Sequence, residues 1–181
     1  MKGIVFTEFF DLVDETFGPA VTEATIVDAG LPNEGAYTGV GNYAAAEMQV
    51  LVECLSARTG VPVRDLLLSF GRHLLTAFSC NHAKYFDSCG HVFDLVESVE
   101  EQIHVDVRKL YPDAELPSLV PTREDDRTIS LLYRSRRKMA DLAEGLLLGA
   151  IDHFGDAVDL GRIDLPEAEG EQCVCFKLRR R

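Results

Sequence analysis

As far as residue 110 the apolar residues of this chain recur at helical spacing, and beyond it they mostly alternate. That change of period constrains the fold to α+β: an N-terminal helical part, then a small antiparallel sheet with one inserted helix. Val5, Phe6, Phe9, Phe10, Val13 and Phe17 set a helix over 2–17 that Gly18 ends. Pro19 suits the first position of a second helix reaching residue 30. Residues 31–41, with three glycines, a proline and an asparagine, form a loop. A third helix spans 43–58 and stops at Gly60. A fourth follows Pro62, with Val63, Leu66, Leu67, Phe70, Leu74 and Phe78 on one face. After a turn region over 80–90, a helix over 92–110 carries the stripe Val92, Val96, Val99, Ile103, Val107 and Leu110. At about 100° per residue, His104 lies a quarter-turn or more from the centre of that stripe, bordering the core face without joining it.

Tyr111-Pro112 ends this helix, and Leu116-Pro117 and Val120-Pro121 mark an extended connector. Residues 128–133 read as a strand, and 138–154 as a helix that turns Met139, Leu142, Leu146, Ala150 and Phe154 inward before Gly155. Two more strands, 156–165 and 171–178, flank a hairpin over 166–170. With 46% hydrophobic residues in 181 and no internal repeat, one domain over 1–181 is expected.

Within that frame the run Tyr133-Arg134-Ser135-Arg136-Arg137 has a particular geometry. In an extended segment residues i, i+2 and i+4 share a face. Tyr133, Ser135 and Arg137 therefore offer two hydroxyls and a guanidinium to one object, which suits carboxylates bound through paired hydrogen bonds. A histidine able to hold a metal, beside a clamp for paired carboxylates, suggests a porphyrin with two propionates. Each half alone has an ordinary reading. A helix histidine is most often solvated or hydrogen-bonded, and Tyr-x-Ser-x-Arg is most often the polar edge of a strand.

Together with Met1-Lys2-Gly3 opening an apolar helix, Leu116-Pro117, and Arg137-Lys138-Met139 leading to Glu144-Gly145-Leu146, these residues carry a resemblance. From residue 1 to about 155 the chain resembles the haem nitric oxide/oxygen binding (H-NOX) family, sensor domains related to the haem domain of soluble guanylate cyclase. The resemblance implies haem b in a crevice between a distal helical part, about 1–60, and haem-holding helices and sheet, about 61–181. It makes His104 the iron ligand and gives the propionates to Tyr133, Ser135 and Arg137. Pro117 takes the place of a proline that presses on the porphyrin and bends it. Oxygen-binding members have a distal tyrosine where this chain has Leu142, and Val5, Phe9, Leu74, Phe78 and Leu146 complete an apolar wall. That wall implies nitric oxide sensing, with carbon monoxide as a second ligand, because oxygen needs a hydrogen-bond donor and nitric oxide does not. Release of His104 is the implied switch. By the same resemblance the output is a separately encoded histidine kinase or cyclic-di-GMP enzyme.

Composition narrows the remaining classes. A net charge of −12 without a long basic patch disfavours nucleic acid, and no stretch is apolar enough to span a membrane. The N-terminal stretch is too acidic for a signal peptide, so a cytoplasmic protein with reduced cysteines is expected. No Ser-His-Asp or paired-carboxylate constellation emerges, so catalysis is not expected. Cys80-x-His82 and Cys89-x-His91 offer four zinc ligands within twelve residues, and Cys173-x-Cys175 two more. Alternatives therefore stay open: a haem oxygen or redox sensor with His73 as donor, a haem-free zinc or thiol module, or a plain interaction domain.

Overall fold

The computed structural model describes residues 1–181. Four helices come first, α1 (Gly3–Phe17), α2 (Pro19–Ala29), α3 (Ala45–Thr59) and α4 (Val63–Asn81). A short α5 (Ala83–Asp87) occupies the stretch expected to be only a turn. Then follow α6 (Val92–Ser98), a π-helical turn (Val99–Ile103) and α7 (His104–Leu110). The remainder is β1 (Ser118–Asp125), β2 (Thr128–Ser135), α8 (Ala140–Phe154), β3 (Val158–Ala168) and β4 (Glu171–Arg180). The strands form one antiparallel sheet in the order β1-β2-β4-β3, so the α+β expectation holds.

Strand β1 replaces the expected connector. Its Pro121 lies opposite Leu131 of β2, and a proline is tolerated there because β1 is an edge whose outer side needs no amide donor. The last hairpin is tighter than expected. Strands β3 and β4 run on to Ala168 and Glu171, leaving the two-residue turn Glu169-Gly170, both at positive φ (54° and 79°), the backbone a type I′ turn requires.

Two cores divide the molecule. One joins Phe6, Phe9 and Val13 of α1, Met48, Leu51, Val52 and Leu55 of α3, and Leu66, Leu67, Phe70 and Leu74 of α4. The other joins α6 to the inner face of the sheet through Val92, Phe93, Val96, Ile129, Leu131, Val174 and Phe176. Burial of each large side chain contributes about 1.5–3 kcal/mol, so both cores are substantial.

Helix α8 serves both cores, and this revises its expected single inward stripe. Leu142 belongs to the helical core, Leu147, Ala150 and Ile151 to the sheet core, and Gly145 and Gly149 lie against α4. Leu146 and Phe154 are only partly buried. The helix also begins at Ala140 rather than 138, because Lys138 sits at φ 52°, outside the helical region.

Candidate functional site

The π turn corrects the expected face of the histidine helix. In it the His104 amide reaches back five residues to the Val99 carbonyl, one more than in an α-helix. One extra residue rotates everything downstream by roughly 100°. The projected stripe is accordingly broken: Val92 and Val96 are buried, Val99, Ile103 and Val107 only partly, and Leu110 is 72% exposed. His104 is turned inward in their place, 8% exposed and the one buried residue of α7.

Once inside, the imidazole is held at one nitrogen. Its Nδ1 lies 2.8 Å from Glu100 Oε2, a carboxylate acceptor that keeps the proton on Nδ1 and leaves the Nε2 lone pair free. The same carboxylate accepts from Arg108 Nη2 at 2.7 Å and from the Leu119 backbone amide at 3.3 Å. Burial lowers the pKa of His104, Glu100 opposes that, and the Arg108 and Arg137 guanidinia add to the lowering. Burial raises Glu100, but the Arg108 and His104 hydrogen bonds and the Leu119 amide outweigh it and hold the carboxyl below its usual range. A neutral, oriented imidazole with one free nitrogen is the form that ligates a metal.

The alternation expected of the clamp is present. Tyr133 and Ser135 are buried and Arg137 partly so, while Arg134 and Arg136 between them are exposed. Just beyond β2 the Arg137 amide donates to Ser135 Oγ at 3.1 Å, and Gln49 Nε2 of α3 donates to the Arg137 carbonyl at 2.9 Å. The flanking Arg136 and Lys138 pair with Glu171 and Glu167, yet Arg137 is in no ion pair. Its pKa is lowered by burial, with Glu115 and Tyr133 pulling the other way. Burial raises Tyr133, which remains a neutral hydroxyl donor. A sheltered guanidinium outside any ion pair, beside two hydroxyls, fits an acidic ligand.

The six apolar residues expected to form a wall lie together. Phe9, Leu74 and Leu142 are buried in the helical core, and Val5, Phe78 and Leu146 pack against it. Phe78 and Leu146 also touch the sheet core, so the wall lies where the two cores meet. His73, the polar neighbour of Leu74, is drawn to α1 instead, with Nε2 3.4 Å from Glu8 Oε2 and Nδ1 3.9 Å from Glu15 Oε2. Pro117 is partly buried just ahead of β1. The donor set as a whole fits a haem: an imidazole with a free nitrogen, a sheltered cation for carboxylates, and an apolar wall.

The cysteine–histidine pairs are used otherwise. Cys80 is exposed, Cys89 Sγ donates to the Tyr85 carbonyl at 3.2 Å, and His91 caps α6 by accepting from the Asp94 amide at 3.4 Å. On the sheet, Cys173 is buried and its thiol donates to the Glu171 carbonyl. No three His, Cys, Asp or Glu side chains gather in a way that could hold a metal ion. Glu100 stands i, i+4 from His104, a spacing legible in the sequence that by itself does not mark it as a partner of the ring. Gln49 had no such cue, since 88 residues separate it from Arg137.

Known proteins bear on this arrangement. The family model Haem-NO-binding matches residues 2–162. The Fe(II) unliganded H-NOX protein from K. algicida is 34% identical, with TM-score 0.91 over 100% of this chain and 97% of that one. An H-NOX protein from S. oneidensis in the Fe(II)NO ligation state is 26% identical, with TM-score 0.89 over 100% and 99%. Soluble guanylate cyclase 89Da of Drosophila melanogaster is 36% identical over 92 residues, which are 50% of this chain and 14% of that protein.

Proposed function

Because this chain belongs to the Haem-NO-binding (H-NOX) family of haem-based gas sensors, we propose that it senses nitric oxide, through haem b ligated by His104. When bound, the haem would supply a ferrous iron able to take a diatomic gas. His104 offers Nε2 to the iron from a helix that the π turn aims inward. Tyr133, Ser135 and Arg137 would bind the two propionates, and Arg137, which is otherwise in no ion pair, would gain one there. Pro117, partly buried just ahead of β1, would press on the macrocycle.

The observation that carries the nitric oxide reading is the apolar wall of Val5, Phe9, Leu74, Phe78, Leu142 and Leu146. Oxygen needs a donor worth about 0.5–1.5 kcal/mol or more, and none of these six side chains has one. Nitric oxide and carbon monoxide bind without it. A wall of this kind selects by withholding a hydrogen bond from the competitor. His73 is not one of these six; its ring lies toward α1, with Nε2 3.4 Å from Glu8 Oε2 and Nδ1 3.9 Å from Glu15 Oε2.

Members of the family bind gaseous ligands and signal to partner proteins; they are sensors, not catalysts. Were His104 released from a bound haem, α7 and the segment at Pro117 would be freed, and the helical part, about 1–60, would rotate against the remainder. Gas binding shifts the populations of the two states by its differential affinity. The output partner proposed is a histidine kinase or a cyclic-di-GMP enzyme. No helix is long and apolar enough to cross a membrane.

The test is an absorption spectrum of the purified ferrous protein with and without nitric oxide. A histidine-ligated spectrum that changes, on adding nitric oxide, to one lacking the histidine ligand is the expected result. A stable oxygen complex in air would favour the oxygen-sensor alternative. A His104→Gly variant that keeps the wild-type haem content and spectrum without added imidazole would overturn the assignment of the ligand.

A further inference from the structure

We propose that Glu100 is the positioning residue of His104: its carboxylate holds the imidazole by the Nδ1 proton and, through the Leu119 amide, fastens the histidine helix to the edge strand β1. The inference rests on His104 being the iron ligand. Three donors from two elements converge on this one carboxylate. His104 and Arg108 come from α7, and Leu119 comes from β1. They are divided between its oxygens, with Arg108 on Oε1 and both His104 Nδ1 and the Leu119 amide on Oε2. The oxygen that orients the ring is thus also the oxygen that holds the strand, so neither partner can move without disturbing the other.

The π turn makes this arrangement available. Glu100 lies inside it and His104 directly after it, so the carboxylate meets the ring just where the helix has been rotated inward. Two consequences follow for the ring. Its tautomer is fixed, with the proton on Nδ1 and Nε2 unprotonated, the arrangement a metal needs. Its Nε2 is also made a stronger donor, because a carboxylate accepting the Nδ1 proton raises the basicity of the far nitrogen. Arg108 tempers this by sharing the same carboxylate, and so keeps the proton on the ring. On the strand side, Leu119 lies two residues after Pro117, so Glu100 joins the ligand helix to the segment that bears the proline.

The test uses the full chain with Glu100→Gln and Glu100→Ala. Glutamine preserves shape and an acceptor oxygen but removes the charge; alanine removes both. In the haem-loaded ferrous proteins, the iron–histidine stretching band in resonance Raman should fall in frequency for Glu100→Gln and fall further for Glu100→Ala. Haem affinity should drop about 10–100-fold in the alanine variant. In the haem-free proteins, hydrogen exchange at the Leu119 amide should stay slow with glutamine and quicken with alanine. A wild-type band that neither variant moves overturns this inference and leaves His104 as ligand. Unchanged Leu119 exchange in Glu100→Ala overturns the link to β1. A wild-type protein that binds haem but shows no iron–histidine band overturns the ligand assignment itself.

Discussion

Gly145 faces Gly71 where α8 crosses α4, so closely that a Cβ added to Gly145 would stand 2.9 Å from the Gly71 Cα and nearer still to the Leu68 carbonyl. The obstacles are backbone atoms, which cannot swing aside as the end of a side chain can. The crossing also sets the spacing of Leu74 and Leu142, which lie on these same two helices in the apolar wall. Gly145→Ala should therefore cost about 1–3 kcal/mol of stability, read as a lowered urea midpoint. An unchanged midpoint would mean that the helices part without penalty.

Arg137 yields a prediction with opposite signs in two states. Without haem its guanidinium is sheltered and in no ion pair, so Arg137→Met, which keeps the apolar stem, should leave the haem-free protein as stable or more so. Haem binding should weaken by about 10–100-fold, the loss of a charge-assisted hydrogen bond of about 1.5–3 kcal/mol. Thermal melts of the haem-free protein and competitive haem transfer measure the two. Unaltered transfer would remove Arg137 from the clamp.

Leu142 is buried in the wall that the gas would meet. Leu142→Tyr adds one hydroxyl donor there, worth about 0.5–1.5 kcal/mol, or roughly two- to tenfold in oxygen affinity. Air-exposed ferrous protein should then show an oxygen complex that the wild type lacks. A wild type that already holds oxygen stably would contradict the apolar-wall argument.

The buried His104 makes the haem-free protein sensitive to acid. Its folded-state pKa lies below the ordinary 6.5, chiefly through burial. Between that depressed value and 6.5 the unfolded chain binds more protons than the folded one, so stability is fully present above 6.5 and declines as the pH falls below it. The urea midpoint of the haem-free protein should fall as pH is lowered from about 7.5 to about 5.5, and His104→Leu should flatten that slope. Equal slopes in the two proteins would place the titrating group elsewhere.

The sequence by itself determined most of the helices and strands, though neither α5 nor β1, the alternating face of Tyr133, Ser135 and Arg137, and the apolar residue types at the positions that the resemblance assigned to the wall. These are properties of local periodicity and residue type, which the chain carries wherever it folds. Only tertiary structure decided the rest. Whether His104 points inward turned on the π turn, a single extra residue in one helical turn that no periodicity announces, since an uninterrupted helix would have put Leu110 in the core instead. Gln49 at the Arg137 carbonyl, the Leu119 amide on Glu100, and the double burial of α8 between two cores join positions distant in sequence or set by packing. Such contacts depend on how whole elements are placed against one another, and side-chain pattern along a single element does not encode that placement.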